Sequence, residues 1–255
     1  ERAVIRLFYK DKGIRTVKEI DDFEPYFYAV PDDIDELENE IKNLNKILGT
    51  ERLEMTDLNK KVAVLKLILN HPKDVPEVRE QVANLESCIE VREADIPFTR
   101  RYVIDSGLVP MEDAEDANLN VCSFDIETYN PHGDCRSERD PVIMISYADS
   151  MGIEKVLTYK TETNKNLIEN LNLDSEIFEF LNNEKEIIEK FIALIKERKI
   201  DVITSYNGDN FDFPYIKDRA EKYCIKVDIG IDGSEVRSER RGMNMGVKVK
   251  GRPHV

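Results

Sequence analysis

The sequence predicts an α/β chain built as two units, on three observations. Strand-length apolar runs alternate with helix-periodic stretches, an acidic stretch without apolar periodicity separates two strand-rich regions, and 255 residues at 41% hydrophobic and 35% charged suffice for two modest cores. In the first region Val4 to Tyr9, Thr16 to Ile20 and Pro25 to Pro31 read as strands, and Ile34 to Leu48 reads as a helix with Asp32 and Asp33 available as caps. Val62 to Leu69 reads as a buried strand, Pro76 to Leu85 as a helix with Pro at its start, Cys88 to Arg92 as a strand, and Pro97 to Gly107 as a short helix ended by Gly. This is a small α+β domain. The acidic segment Pro110 to Asn118 is the predicted boundary, which divides the chain into 1–116 and 117–255. Beyond it come strands Asn120 to Thr128, Val142 to Ser150 and Glu154 to Tyr159, a helix Glu184 to Arg198, a strand Asp201 to Tyr206 and a helix Phe213 to Tyr223. Three strands, a helix, a strand and a helix are the order of an RNase H-like sheet.

Asp125 and Glu127 follow the apolar run Val121 to Phe124. Residues two apart on a strand share a face, so the two carboxylates are expected to converge while Cys122, Phe124 and Ile126 face a core. Asp212 follows a second apolar run and an Asn-Gly-Asp-Asn turn, where the period changes from two to that of a helix. A strand-end pair of acids and a helix-start acid can meet. Hard oxygen ligands of this kind suit Mg²⁺ or Mn²⁺, and two such ions about 4 Å apart activate water and stabilise the leaving oxygen in phosphodiester cleavage. Taken alone, Asp-x-Glu usually marks a solvated strand face and Asn-Gly-Asp-Asn is ordinary turn chemistry. Their order, each behind an apolar strand, is what gives them meaning.

The formal net charge of -15 argues against a dedicated nucleic-acid binder, because such affinity comes largely from neutralising phosphates. The acids crowd Asp32 to Glu40, Glu112 to Asp116 and Thr161 to Glu189, whereas Arg237, Arg240, Arg241, Lys248, Lys250 and Arg252 gather near the C-terminal end. Cys88, Cys122, Cys135 and Cys224 are scattered without Cys-x-x-Cys spacing and read as buried reduced thiols. His132 to Cys135 lies in a polar stretch, Asn130 to Asp140, and reads as a surface loop. No apolar run approaches the roughly 18 residues of a membrane span and no secretory signal pattern opens the sequence, so the expected location is cytoplasmic, with no membrane partner.

Phe124-Asp-Ile-Glu-Thr128 and Tyr206-Asn-Gly-Asp-Asn-Phe-Asp-Phe-Pro-Tyr215 resemble the first and second exonuclease motifs of the archaeal family B DNA polymerases. Val4 to Phe8, Pro25 to Ala29, His71 to Pro76, Asp95 to Phe98, Ile143 to Ala148 and Val249 to Arg252 resemble the same family in order. The resemblance implies a template-binding, uracil-reading domain over 1–116 and an RNase H-like 3′-to-5′ proofreading exonuclease over 117–255, incomplete because the third exonuclease motif of the family lies beyond Val255. The polymerase motifs of the family are absent too, so the chain is expected not to polymerise and to have weak or no nuclease activity by itself. Asp125, Glu127 and Asp212 are then catalytic metal ligands for two Mg²⁺ or Mn²⁺ ions. Asn207 positions a frayed strand, with Phe211 packed beneath.

Asp232 to Lys250 resembles a hairpin that this family projects toward the primer-template junction, with Arg240-Arg241-Gly as its turn and the two Arg as phosphate contacts; from the residues alone it is an exposed basic hairpin. Pro25, Val75, Pro76, Arg79, Ile96 and Arg101 resemble the template-uracil pocket, although an upstream aromatic of that pocket is missing. From the residues alone, Val75-Pro76 is a helix start and Arg79 a solvated helix residue. The implied partners are single-stranded template DNA, the primer 3′ end, the rest of the polymerase polypeptide and a sliding clamp reached through other regions. Two classes of function stand: a proofreading enzyme, or a non-catalytic template-binding module or split subunit that needs a partner chain.

Overall fold

The structure is a computed structural model, and it describes residues 2–11, 13–108, 118–131, 133–160, 168–170, 174–241 and 244–255. The chain divides into two compact units, Glu1–Asp116 and Ala117–Val255.

The first unit opens with an antiparallel hairpin of β1 (Ile5–Asp11) and β2 (Ile14–Ile20). A β-α-β-β-α-β run follows: β3 (Tyr26–Pro31), α1 (Ile34–Ile41), β4 (Ile47–Asp57), β5 (Lys60–Leu69), α2 (Val75–Ala83) and β6 (Cys88–Arg92). Its sheet has the order β4-β5-β3-β6. One face, with Phe27, Leu65 and Leu67, is buried under Leu37 of α1 and Val78 and Val82 of α2. The Asp33 side chain caps α1 by accepting from the Asp35 and Glu36 N–H groups, and Pro76 occupies the first turn of α2. A third helix, α3 (Phe98–Asp105), ends before Gly107, whose φ of 66° suits glycine.

The expected helix Ile34 to Leu48 is too long. It stops at Ile41, Lys46 turns left-handed at φ 77°, and Ile47 pairs with Leu69 as the start of β4, a strand that the sequence reading lacked. Leu44 and Ile47 continue the helical spacing, but the ladder to β5 claims Ile47. The turn between β4 and β5 is Leu58-Asn59, both at positive φ, without the Asn-Gly signature that announces such a hairpin.

The second unit has a five-stranded sheet, β10-β9-β8-β7-β11. β7 (Val121–Thr128), β8 (Val142–Asp149) and β9 (Glu154–Thr158) are antiparallel neighbours. β10 (Phe178–Phe180), also unforeseen, joins β9 in parallel, and β11 (Val202–Thr204) joins β7 in parallel. Helices α4 (Glu184–Glu197) and α5 (Asp212–Lys222) contribute to one core with the sheet, where Phe124 meets Phe191 at 4.8 Å and Phe213 at 4.9 Å between ring centroids. A hairpin of β12 (Arg237–Arg241) and β13 (Asn244–Lys248) follows. Arg240 and Arg241 are thus strand residues, paired with Met245 and Asn244, rather than the turn expected from sequence. Of the thiols, Cys122 is buried, Cys88 and Cys135 are half-buried and Cys224 is exposed, which corrects the expectation for Cys224; all four are free. Most of the expected boundary, Pro110 to Asn118, lies outside the described residues, as does His132. No described helix is long and apolar enough to cross a membrane.

A buried ion pair ties this unit together. Arg219 Nε donates to Glu184 Oε1 at 2.7 Å, and Glu184 also accepts from the Val142 N–H at 2.8 Å and the Tyr223 hydroxyl at 2.7 Å. Burial pushes the Glu184 carboxyl up, but the bonds from Arg219, Tyr223 and Val142 outweigh it and hold the group below its usual range. A depressed carboxyl stabilises the fold above its unfolded pKa and loses that contribution as pH falls through the folded value. Arg219→Met is expected to cost about 3 to 5 kcal/mol at pH 7 by leaving Glu184 buried and unpaired. Denaturant unfolding of the two forms checks this, and the difference should shrink as pH falls below the ordinary glutamate range, where the unpaired carboxyl of the variant is neutral and the paired one progressively loses its contribution.

Candidate active site

Alternation along β7 divides its side chains between two faces. Cys122, Phe124 and Ile126 are 1%, 4% and 5% exposed, while Ser123, Asp125 and Glu127 point away from that core and are exposed. Asp125 stands opposite Ser146 of β8, and Ser123 lies between Ala148 of β8 and Thr204 of β11. A cleft of about 690 Å³ crosses this face, bordered by Ser123, Asp125, Ser146, Val156, Thr204 and Tyr206.

Asp212 comes to the site through an open edge. β11 is three residues long and pairs only with Val121, Cys122 and Ser123, so the strand edge beyond is left for another acceptor. Asp212, at the first turn of α5, fills that role: its Oδ1 accepts from the Ile126 N–H at 3.3 Å, and its carboxyl is within hydrogen-bonding reach of Asp125. Burial, then the neighbouring charge of Asp125, raises the Asp212 carboxyl from its ordinary value to about 6. The turn before it is built by Asn207, which takes φ 66° and whose carbonyl accepts from the Asn210 and Phe211 N–H groups at 3.1 and 3.0 Å. Asn207 is exposed, and its side-chain oxygen accepts from Asn210 Nδ2 at 3.1 Å.

Two of the three acids therefore meet. Glu127 shares the β7 face, but among the described residues no group of three or more His, Cys, Asp and Glu side chains is close enough to hold a metal ion. The donor set still fits a hard divalent cation: both groups that meet are carboxylates, one is buried at a cost, and a cation between them would relieve the burial and the repulsion together. Phe211 is half-buried against the core, its ring tilted 41° to that of Tyr215 at 5.3 Å between centroids. With Tyr215, Asn210 and Arg136 it borders a second cleft, of about 710 Å³. Nothing is described of the Arg240 and Arg241 side chains.

In the first unit Pro25, Val75, Pro76, Ile96 and Arg101 line one cavity of about 150 Å³, together with Tyr26, Pro72 and Phe98. Arg79, half-buried on α2, is not among its lining residues. Arg101 is buried, sits 4.9 Å above the Tyr26 ring, bonds Glu93 at 2.6 Å and keeps an Nε–H with no acceptor. Tyr26, 93%-exposed Tyr206 and Thr204 were given no role from sequence. Tyr206 had a signal, an aromatic directly before a polar turn.

The class of this unit is an RNase H-like α/β sheet whose first strand sets Asp125 beside the helix-start acid Asp212. Residues 108–252 match the family described as DNA polymerase family B, exonuclease domain, so the chain belongs to DNA polymerase family B. It is 40% identical over 261 aligned residues to the DNA polymerase of Desulfurococcus sp. (strain Tok), covering 99% of this chain and 32% of that protein. DNA polymerase 1 of Pyrococcus abyssi is 39% identical, with the same coverage. The solved family B DNA polymerase of the hyperthermophilic archaeon Pyrobaculum calidifontis superposes with a TM-score of 0.83 at 26% identity, over 99% of this chain and 34% of that one. The chain thus spans about a third of the length of these relatives.

The raised Asp212 carboxyl makes a prediction with a definite sign. A carboxyl whose pKa rises from 3.8 to about 6 on folding destabilises the fold as pH climbs through that window. Asp212→Asn is expected to stabilise the metal-free protein by about 1 to 3 kcal/mol at pH 7 and by little at pH 4. Thermal unfolding in a chelator at both pH values measures it; equal effects at the two would refute the assignment.

Proposed function

We propose that this chain carries the 3′-to-5′ proofreading exonuclease part of a replicative DNA polymerase and acts on the single-stranded 3′ end of a primer by two-metal phosphodiester hydrolysis. The observation that carries the reading is the approach of Asp125, which borders the cleft, and the buried Asp212, two carboxylates 87 positions apart. Asp125, Glu127 and Asp212 would hold the divalent ions, Mg²⁺ or Mn²⁺. When bound, such ions supply an activated water and stabilise the leaving oxygen.

The protein's own groups do the rest. The ladder to β8 fixes the Asp125 backbone, and Ile126 and the α5 terminus orient Asp212, so the acids need little rearrangement. Asn207, exposed beside them, offers amide groups to the strand, and the uncovered Tyr206 ring offers a stacking face for a base. Because two acids rather than three meet among the described residues, the chain by itself is expected to be a weak nuclease at most. Its partners on this reading are DNA and the rest of a polymerase polypeptide, with a clamp engaged elsewhere.

The first test is degradation of a 3′-labelled single-stranded oligonucleotide with Mn²⁺ by this chain and by a longer polypeptide continuing past Val255. Asp125→Ala should abolish whatever cleavage either shows, a loss of about 100-fold or more. Cleavage that survives in Asp125→Ala sinks the assignment.

The cavity of the first unit supports a second site. Pro25, Val75, Pro76 and Ile96 form an apolar slot, and the unsatisfied Nε–H of Arg101 is a donor that a base carbonyl would take. A flat uracil edge suits such a slot, and the extra methyl of thymine should cost about 1 to 3 kcal/mol. Equal affinity for uracil- and thymine-containing single strands would refute it. Arg240 and Arg241 are proposed phosphate contacts of the hairpin. Reversing both charges should flatten the dependence of log K for primer-template on log salt by about one for each phosphate no longer neutralised.

A further inference from the structure

The last residues of the chain lie alongside β11. Ile203 N–H donates to the Pro253 carbonyl and Val255 N–H to the Ile203 carbonyl, both at 3.0 Å. This pairing brings His254 against the turn that leads from β11 to Asp212. Its Nε2 is 2.7 Å from Ser205 Oγ, its Nδ1 is 2.9 Å from Asp209 Oδ1, and its ring meets Phe213 edge-on at 5.1 Å. The side chain is 5% exposed.

These distances are those of a Ser–His–acid relay, and Ser205 borders the cleft. The turn's own backbone packs directly on the pair: a Cβ on Gly208 would fall 1.8 Å from Ser205 Oγ and 2.9 Å from His254 Nε2. The arrangement braces the turn. Asp209 is hydrogen-bonded to Nδ1, and Nε2 and Ser205 Oγ share a second hydrogen bond. The same Asp209 oxygen also accepts from the Val247 N–H at 2.8 Å. Between Ser205 and Asp209 stands Asn207, and three residues after Asp209 comes Asp212.

We propose that His254 is a positioning residue: its imidazole pins both ends of the Ser205–Asp209 turn and so fixes the backbone that carries Asn207 and leads into Asp212. The proposal rests on the nuclease reading above for what is being positioned. The test uses the chain itself and its His254→Ala, His254→Asn and Ser205→Ala variants. Amide exchange across 205–213, measured without metal or DNA, is expected to quicken about tenfold in His254→Ala while the helix 184–197 keeps its protection. The dissociation constant for Mn²⁺ is expected to rise about tenfold. His254→Asn, which retains a donor for Asp209, should recover part of both effects, and Ser205→Ala, which leaves the core intact, should show a smaller version of both. Unchanged exchange in Ser205→Ala and His254→Ala overturns the proposal, as does a loosened turn with unchanged Mn²⁺ affinity. Asp125→Ala is the control that separates the two readings. If it binds Mn²⁺ as well as the unsubstituted chain does, the nuclease reading fails and the positioning role with it, while the exchange data still report whether His254 anchors the turn.

Discussion

The hydrogen bond from the Ile126 N–H to Asp212 is where the second unit converts a sheet into a site. A strand edge left without a partner costs free energy unless another acceptor is supplied, and β11 is too short to supply one beyond Ser123. An acid at the start of α5 does so. The same contact sets that acid beside Asp125, because Asp125 and Ile126 are consecutive. Extending β11 by two residues would satisfy the edge with backbone and push Asp212 away. The short strand, the turn at Asn207 and the unfavourable carboxyl pair are therefore one design, in which a buried acid is held where water alone would not place it.

How much of this was legible follows from which forces are local. The alternation in Val121 to Thr128 is a local signal, and both its buried face and its acidic face came out as read. The cap at Asp33 and the helix starts read at Pro76 and Phe213, each one residue after the observed start at Val75 and Asp212, are local too. The failures lie where a distant partner decides. Ile47 follows helical spacing, yet pairing with Leu69 makes it a strand residue, and Phe178 to Phe180 become a strand only because β9 offers an edge. Asp201, read as the start of a strand, instead accepts from the Asn120 N–H at 2.8 Å and marks where pairing with β7 begins.

The site shows the same division. The meeting of Asp125 with Asp212 was implied by motif order, but the mechanism of their approach, an unpaired strand edge, was not. His254 could not have been found from spacing, since it is 49 residues from Ser205 and only the ladder of Pro253 to Val255 on β11 makes them neighbours. Arg79 shows the reverse. The family resemblance placed it in the pocket, while the residues alone made it a solvated helix residue, and it is half-buried on α2 outside the lining.

The net charge of -15 is a long-range objection to a nucleic-acid partner, and the cleft sharpens it, since Asp125 and Glu127 share its exposed face and Glu154 borders it. A phosphodiester entering there meets like charge at short range, where screening by salt is least effective. On the nuclease reading the objection resolves into a coupling. The carboxylates that repel a phosphate are the ones that attract a divalent cation, so cation and strand each improve the site for the other by the same factor. Surface arginines are then not required to draw the strand into the cleft itself.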